Sequence, residues 1–435
     1  MKRIALVSLF IALVLPLGCQ KDESEPEDEE FPVIGDDDTD DDIIVPPGDD
    51  DDSADDDGGD DDDSDDDSDD DADDDSDDDS DDDADDDADD DTVEPEARAD
   101  GWVLGESRDG DKPFAGRIQD GAIETTLVPD SGNVILHAMD FADESWGVAV
   151  GWNTNSLTGV AYKIQDDVWT AIPIDIPTLL GEWELRGVDV LAPGDAYLVG
   201  RQTVNPLGTI GLVLHFKNGV VSRMTLPNLS TNFRLNAVSM ASETLGWSVG
   251  QNVVSGKGVI LNWDGNDWQP STYTLTENEV EFLDVVAVSN SNAFAVGYAR
   301  PTGELNVRGI AMRYSNLTWQ KTGNFPEDGE NWRLSNVNAQ GQDDVVSFTS
   351  KFDKMEHWHY EDGTWDRRSY GFDLPAGGYV TGASLVDFDN GLVGFASVAD
   401  NTGLVFERID GVWFTVDPYP ENMGRIRDVF TFAVE

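Results

Sequence analysis

A five-residue pattern of small and apolar residues returns along this chain at nearly constant intervals. It reads Gly147-Val148-Ala149-Val150-Gly151, Ala196-Tyr197-Leu198-Val199-Gly200, Gly246-Trp247-Ser248-Val249-Gly250 and Ala293-Phe294-Ala295-Val296-Gly297. An earlier copy is Gly101-Trp102-Val103-Leu104-Gly105, and two degenerate copies end at Phe348 and Phe395. Between successive final residues the spacings are 46, 49, 50, 47, 51 and 47. A unit that recurs at this period cannot bury an apolar face alone and must pack on its neighbours, so the architecture is an array.

Each copy has the same companions. Apolar residues stand 15 and 12 positions before its last residue: Leu136/Met139, Leu185/Val188, Leu235/Val238, Phe282/Val285 and Val380/Ala383. In the copy ending at Phe348 the pair Leu334/Val337 is displaced by one. After the cassette come a variable loop and an alternating strand such as Val259-Ile260-Leu261-Asn262-Trp263. A tight turn follows, at Asn218-Gly219, Asp264-Gly265, Asp362-Gly363 or Asp410-Gly411, and then a strand opening near Trp169, Trp268, Trp319, Trp365 or Trp413. Asp-Gly between alternating apolar runs is a hairpin signal. Four short strands per unit without helical periodicity describe an all-β chain and the blades of a propeller.

The two ends of the repeat region complete each other. The copy at Gly101–Gly105 has no preceding 15/12 pair inside the repeats, while Ile426 and Val429 carry that pair near the C-terminal end. One repeat shared between both ends closes the ring and leaves no unpaired strand edge at the seam. A two-sheet array or an open solenoid would not need a split repeat. The reading is therefore one seven-bladed β-propeller over 100–435, closed by its N- and C-terminal strands, rather than two domains.

Charge separates the rest of the chain from this ring. The protein has 92 acidic and 26 basic residues, a net charge of −66, over 435 residues. Residues 20–99 hold 47 acidic and two basic residues, and 100–435 hold 45 and 22. From Ser64 to Thr92 the chain runs in tetrads, with Ser or Ala separated by three aspartates. Carboxylates spaced well inside a Debye length of ~8 Å repel and stretch the backbone. With one aromatic, Phe31, in 80 residues, the tract cannot bury enough surface to offset chain entropy and is expected to be disordered. At ~3.1 Å per extended residue its reach is at most roughly 250 Å. The simplest role is a solvated acidic stalk, with at most weak, non-specific Ca²⁺ binding by its carboxylates and no other cofactor. Both parts are acidic, which disfavours nucleic acid as a partner.

The first residues, Met1-Lys2-Arg3 and an apolar run from Ile4 to Leu15, suit a signal peptide and are too short to span a bilayer. The run ends in Leu15-Pro16-Leu17-Gly18-Cys19-Gln20, and Cys19 is the only cysteine. This segment resembles the lipobox of bacterial lipoproteins, with Pro16 where that motif usually has Leu. The resemblance implies a signal peptide over 1–18, lipidation of Cys19, membrane attachment through that lipid, and a lipidated linker over 19–99. Gln20 after the cysteine implies outer-membrane retention, facing either the periplasm or the cell surface. The blades resemble bacterial propellers with Gly-Trp-x-Val-Gly and Asp-Gly-x-x-Trp elements, similar in style to photosystem II assembly-factor-like, WD-like and neuraminidase-repeat propellers. That resemblance covers nearly all of 100–435 and implies fold more than function.

Catalytic motifs are sparse. No nucleophile elbow, phosphate-cradling glycine loop or zinc spacing occurs. The nearest metal candidate is Glu356-His357-Trp358-His359, where a strand would put both histidines on one face; a surface strand is the plainer account. Binding is the stronger reading. In propellers ligands commonly meet the face carrying the second-to-third strand loops, which implies a site at the residue after each cassette: Glu106, Trp152, Arg201, Gln251 and Tyr298, with Thr349 and Ala396 in the degenerate copies. The longest such loop, Tyr298–Arg308, adds Arg300 and Arg308. The expected function is a lipid-anchored, non-enzymatic envelope protein that binds a protein or glycan partner. An envelope polysaccharide hydrolase or lyase and a periplasmic assembly factor are the alternatives.

Overall fold

The computed structural model describes residues 98–432 apart from 110–111, 127, 130–131, 177–180, 205–207, 228–231, 324, 326–331, 352–353, 374–377, 398–400 and 418–419. The chain separates into two units, Met1–Asp87 and Ala88–Glu435, and every described residue belongs to the second. Cys19, the apolar run and the aspartate tetrads lie outside the described residues.

The described residues form twenty-eight strands, β1 to β28 in chain order, in seven four-stranded antiparallel sheets. Blades 1 to 6 span residues 134–171, 183–223, 233–270, 279–322, 334–373 and 378–415. Blade 7 joins β28 (Met423–Thr431) to β1 (Gly101–Ser107), β2 (Pro113–Gln119) and β3 (Ala122–Thr126). Its seam pairs Gly105 with Ile426 and Val103 with Val429, which is the closure the split repeat implies. Seven apolar clusters follow the ring, each drawing on two neighbouring blades. Trp146 and Leu198 meet between blades 1 and 2, and Val103 and Val405 meet between blades 6 and 7. Each interface is a shared core, so no blade is buried without both neighbours.

This packing explains the cassette. In blade 1, β5 (Trp146–Asn153) turns Val148 and Val150 toward blade 2 and Ala149 toward blade 7, and the cassette is buried throughout. A strand buried on both faces loses the alternation of a half-exposed one and reads as a continuous small and apolar run. Its last residue is glycine for a second reason. At Gly151, Gly200, Gly250 and Gly297 a Cβ would lie 2.0 Å from a carbonyl oxygen of the adjacent first strand.

That close approach comes from a bulge at the same place in every first strand. These strands are β4 (Val134–Asp143), β8 (Trp183–Ala192), β12 (Phe233–Ser242), β16 (Glu279–Ser289), β20 (Leu334–Gly341), β24 (Gly378–Leu385) and β28. Register slips by one between Leu136 and Ala138, Leu185 and Gly187, Leu235 and Ala237, and at the matching point of the other blades. Residues three apart on a regular strand face opposite ways, so the apolar 15/12 pair can share one core only across such an extra residue. The register also corrects the degenerate fifth copy. Leu334 pairs with Thr349, so Thr349 and not Phe348 occupies the cassette's last position, and the one-residue displacement disappears.

Candidate functional site

The first strand of each blade lines the ring's central channel, a cavity of about 300 Å³. Polar side chains there tie each blade to the next. Asp428 Oδ2 accepts from Met139 N at 2.9 Å, Asp140 Oδ2 from Val190 N at 2.5 Å, and Asp189 Oδ2 from Met240 N at 3.3 Å. The relay continues with Ser239 Oγ accepting from Ala287 N at 3.0 Å and Asp284 Oδ2 from Val337 N at 2.9 Å. Asn338 Oδ1 takes Leu385 N at 3.4 Å and Ser384 Oγ takes Thr431 N at 3.0 Å, which returns to the blade that began it. All seven junctions thus have a side-chain acceptor for a backbone N–H that would otherwise be unpaired inside the ring. Burial holds the carboxyls of Asp428 and Asp284 up at about 8 and about 6, while their backbone donors pull them down. Asp140 and Asp189 are raised by burial, and for Asp189 also by the neighbouring charge of Asp140.

At one mouth of the channel the bulge residues project inward. In blade order 1 to 7 they are His137, Arg186, Asn236, Leu283, Ser335, Thr381 and Arg427. Burial and the guanidiniums of Arg186 and Arg427 push His137 down to about 4, so its imidazole is neutral at neutral pH. Arg186 and Arg201 both hold Glu184, the latter at 2.8 Å, and Arg427 holds Glu106. Burial works against the charge of Glu184, but the two arginines outweigh it and keep the carboxyl below its usual range.

The residues singled out after each cassette gather around this mouth, though not in loops. Glu106, Trp152, Arg201, Gln251, Tyr298 and Arg300 all lie within the second strands β1, β5, β9 (Asp195–Val204), β13 (Leu245–Asn252) and β17 (Asn292–Arg300). Those strands run past the cassette because the first strand begins early enough to pair with them. Four of the six bond to the residue directly opposite: Arg201 to Glu184, Gln251 to Arg234 at 3.3 Å, Tyr298 to Glu281 at 2.6 Å, and Arg300 to Glu279 at 2.6 Å. Arg234 also reaches Glu281 of the next blade at 2.6 Å, and Arg333 lies over the Tyr298 ring at 4.7 Å. Burial and Glu281 together push the Tyr298 hydroxyl well up. Trp152 stands opposite Ile135 and is half-buried. Thr349 is fully buried at the cassette's last position, and Ala396 is also buried. Arg308 pairs with Glu304 across the loop between β17 and β18 (Arg308–Ser315).

The histidine pair on β22 (Lys354–Glu361) departs from the surface-strand expectation. His357 and His359 are buried, because blade 6 covers this face with Phe388, which stacks on His359 at 4.6 Å. His359 Nε2 bonds Asp344 at 2.8 Å, and burial with Arg408 pushes His357 down to about 3. Among the described residues no group of three His, Cys, Asp or Glu side chains could hold a metal ion.

The strand order also gathers acidic turns on one face of the ring. Turns joining first to second and third to fourth strands share one face, and these carry Glu144, Asp166, Asp167, Glu243, Asp267, Asp343, Asp362, Asp389 and Asp410. Cations near them are engaged: Arg117 with Asp167, Lys217 with Asp195 and Glu243, and Arg313 with Asp343. The chain enters the ring on this acidic face, where Ala99 N bonds Glu407 and Asp100 O accepts from Phe432 N. The channel mouth with Arg186, Arg201, Arg234, Arg333 and Arg427, four of which pair with Glu106, Glu184 or Glu281, belongs to the opposite face, as do the exposed loop residues Val254 and Leu305.

No protein-family model and no curated protein matches the chain. Solved structures do resemble it. YCF48 from Cyanidioschyzon merolae is similar over 74% of this chain and 99% of its own, with 16% identity and a TM-score of 0.42. A structure described in a structural and mechanistic study of two prolyl endopeptidases is similar over 73% of this chain, with 11% identity and a TM-score of 0.45. The chain spans 50% of that second protein. Both are likenesses of fold alone.

Proposed function

We propose that this chain is a non-catalytic binding or scaffold protein of the cell envelope, lipid-anchored through Cys19 at the outer membrane and carried on its acidic tract. The ring takes a protein or glycan partner on the face that surrounds the cationic channel mouth. One observation supports this reading above the others: Ala99, where the chain enters the ring, and the acidic turns of blades 1, 3, 5 and 6 share one face, whereas the arginines of the mouth, Trp152 and the loop residues Val254 and Leu305 share the other. Carboxylate groups of a partner on the second face meet the arginines of the mouth.

Photo-crosslinking in intact cells tests the assignment. A crosslinker at Val254 or Leu305 of the full chain is expected to capture the partner, and one at Asp167 or Asp362 is not. Capture from the acidic face alone, or undiminished recovery of the partner by Trp152→Ala, would remove the site. Incubation with envelope polysaccharides addresses the alternative. Turnover that disappears on changing a single carboxylate would make the protein a hydrolase or lyase instead.

A further inference from the structure

The channel below the mouth has a second chemistry that partner binding on the face does not use. Its walls are unequal. Blades 7, 1 and 2, which are consecutive around the ring, place Arg427, His137 and Arg186 at the bulge level, with Asp428 beside Arg427 and opposite Leu104, and place Asp140 and Asp189 two positions lower, opposite Val148 and Tyr197. The remaining blades line the channel mainly with neutral groups, Asp284 excepted. Arg186 spends only its Nε on Glu184, and Arg427 its Nε and Nη2 on Glu106, so among the described residues Arg186 Nη1 and Nη2 and Arg427 Nη1 have no hydrogen-bond partner. His137 between them is enclosed in the wall with its Nε2 likewise unpartnered. On the neutral side, Asn236 Oδ1 and Thr381 Oγ1 have no partner either. The carboxylates below accept backbone N–H groups through their bonded oxygens, and an ionised carboxylate has about four acceptor positions, so acceptor capacity remains toward the channel.

A simple anion at the arginines would leave the buried carboxyls below without a cation, and a simple cation would have to pass the arginines above. A ligand bearing both charges suits this wall. His137 and Asp140, like Arg186 and Asp189, are three residues apart with a bulge between, which puts the two levels roughly 7 Å apart along the strand. An extended dipeptide carries its terminal charges at most about 7 Å apart, and a molecule of that size fits a cavity of about 300 Å³. We propose that the channel binds a zwitterion of dipeptide size, its carboxylate held by Arg186 and Arg427 and its ammonium by Asp140 and Asp189. Burial, which raises both of these carboxyls, is relieved by an ammonium placed beside them. The site shares Arg186 and Arg427 with the mouth of the partner-binding reading, but its test needs no partner, so either reading can fail without the other.

The test uses the full chain and no partner. Titration calorimetry and thermal shift are carried out with diglycine, with the same peptide capped at both ends, with acetate and with methylammonium. Diglycine is expected to bind and to raise the melting temperature, and the capped peptide and the two single ions are expected to do neither. Arg186→Gln and Asp140→Asn, whose amide oxygen still accepts from Val190 N, are each expected to weaken diglycine binding at least about tenfold. Equal stabilisation by the capped peptide, undiminished binding by both variants, or no diglycine binding at millimolar concentration would overturn the proposal. The capped-peptide comparison on the wild-type protein decides the matter even if a variant fails to fold.

Discussion

Replacing Gly200 by alanine asks whether the bulge or merely the small size of the cassette selects glycine. The new Cβ would lie 2.0 Å from Glu184 O and 2.9 Å from both Glu184 C and Leu185 Cα. An ordinary carbon–oxygen contact is about 3.2 Å or more, so β8 and β9 must separate locally by roughly 1 Å. The obstruction is backbone on both sides, held by the Leu185–Gly200 pairing, and no rotamer change can relieve it. Overpacking of this kind costs typically 1–3 kcal/mol, and stretched ladder bonds add about 1 kcal/mol. Loss of glycine's freedom in the unfolded chain returns about 0.5–1 kcal/mol, which leaves a net destabilisation of about 2 kcal/mol. For a ring of this size that corresponds to a drop in Tm of roughly 3 °C. Gly219→Ala is the control. It sits at φ +84° with nothing within 4 Å of its would-be Cβ, so it should cost only about 1 kcal/mol from backbone strain. Calorimetric scans of the full chain compare the two. The Gly200 variant should also bind the channel ligand more weakly, because Glu184 positions Arg186 and Arg201. If Gly200→Ala melts within about a degree of wild type, or no lower than Gly219→Ala, the steric account of the cassette is wrong.

Two further expectations concern the ring. The raised carboxyls of Asp428 and Asp284 keep protons in the folded state that the unfolded chain has lost, so their contribution is complete below about pH 4 and disappears as pH rises through about 6 to 8. Melting temperature should therefore fall between about pH 5 and pH 8.5 by the equivalent of about 2–4 kcal/mol, allowing for the access the channel gives to solvent. Asp428→Asn should flatten that slope, and a wild-type profile flat over the range would show these groups to be ionised. Removal of Met423–Glu435 deletes the strand that pairs with β1 and contributes Ile426 and Val429 to the last core. The truncated chain should lose its cooperative transition; a retained transition would mean that the ring does not depend on its seam.

The blade count, the repeat period and the closing strand were legible because each depends on a signal confined to one short stretch of chain. A second strand buried on both faces must be small and apolar throughout, and Gly147–Gly151 shows that without any knowledge of its neighbours. Ile426 and Val429 at one end and Gly101–Gly105 at the other were incomplete alone and complete together. The spacing of the apolar pairs also contained the bulge, since Leu136 and Met139 cannot share a core on a regular strand. That inference was open and would have pointed to His137, Arg186 and Arg427. Other features had no local trace. The buried His357 and His359 depend on Phe388 from the next blade, and the one-residue shift to Thr349 depends on pairing with Leu334. Glu106, Arg201 and Tyr298 could be located from the cassette, but their partners Arg427, Glu184 and Glu281 are set by register between strands. Composition and period are properties of a segment and survive in the unfolded chain. The channel, its seven linked junctions and the gathering of acidic turns on one face arise only when separate segments are brought to one axis, and that is decided by tertiary packing alone.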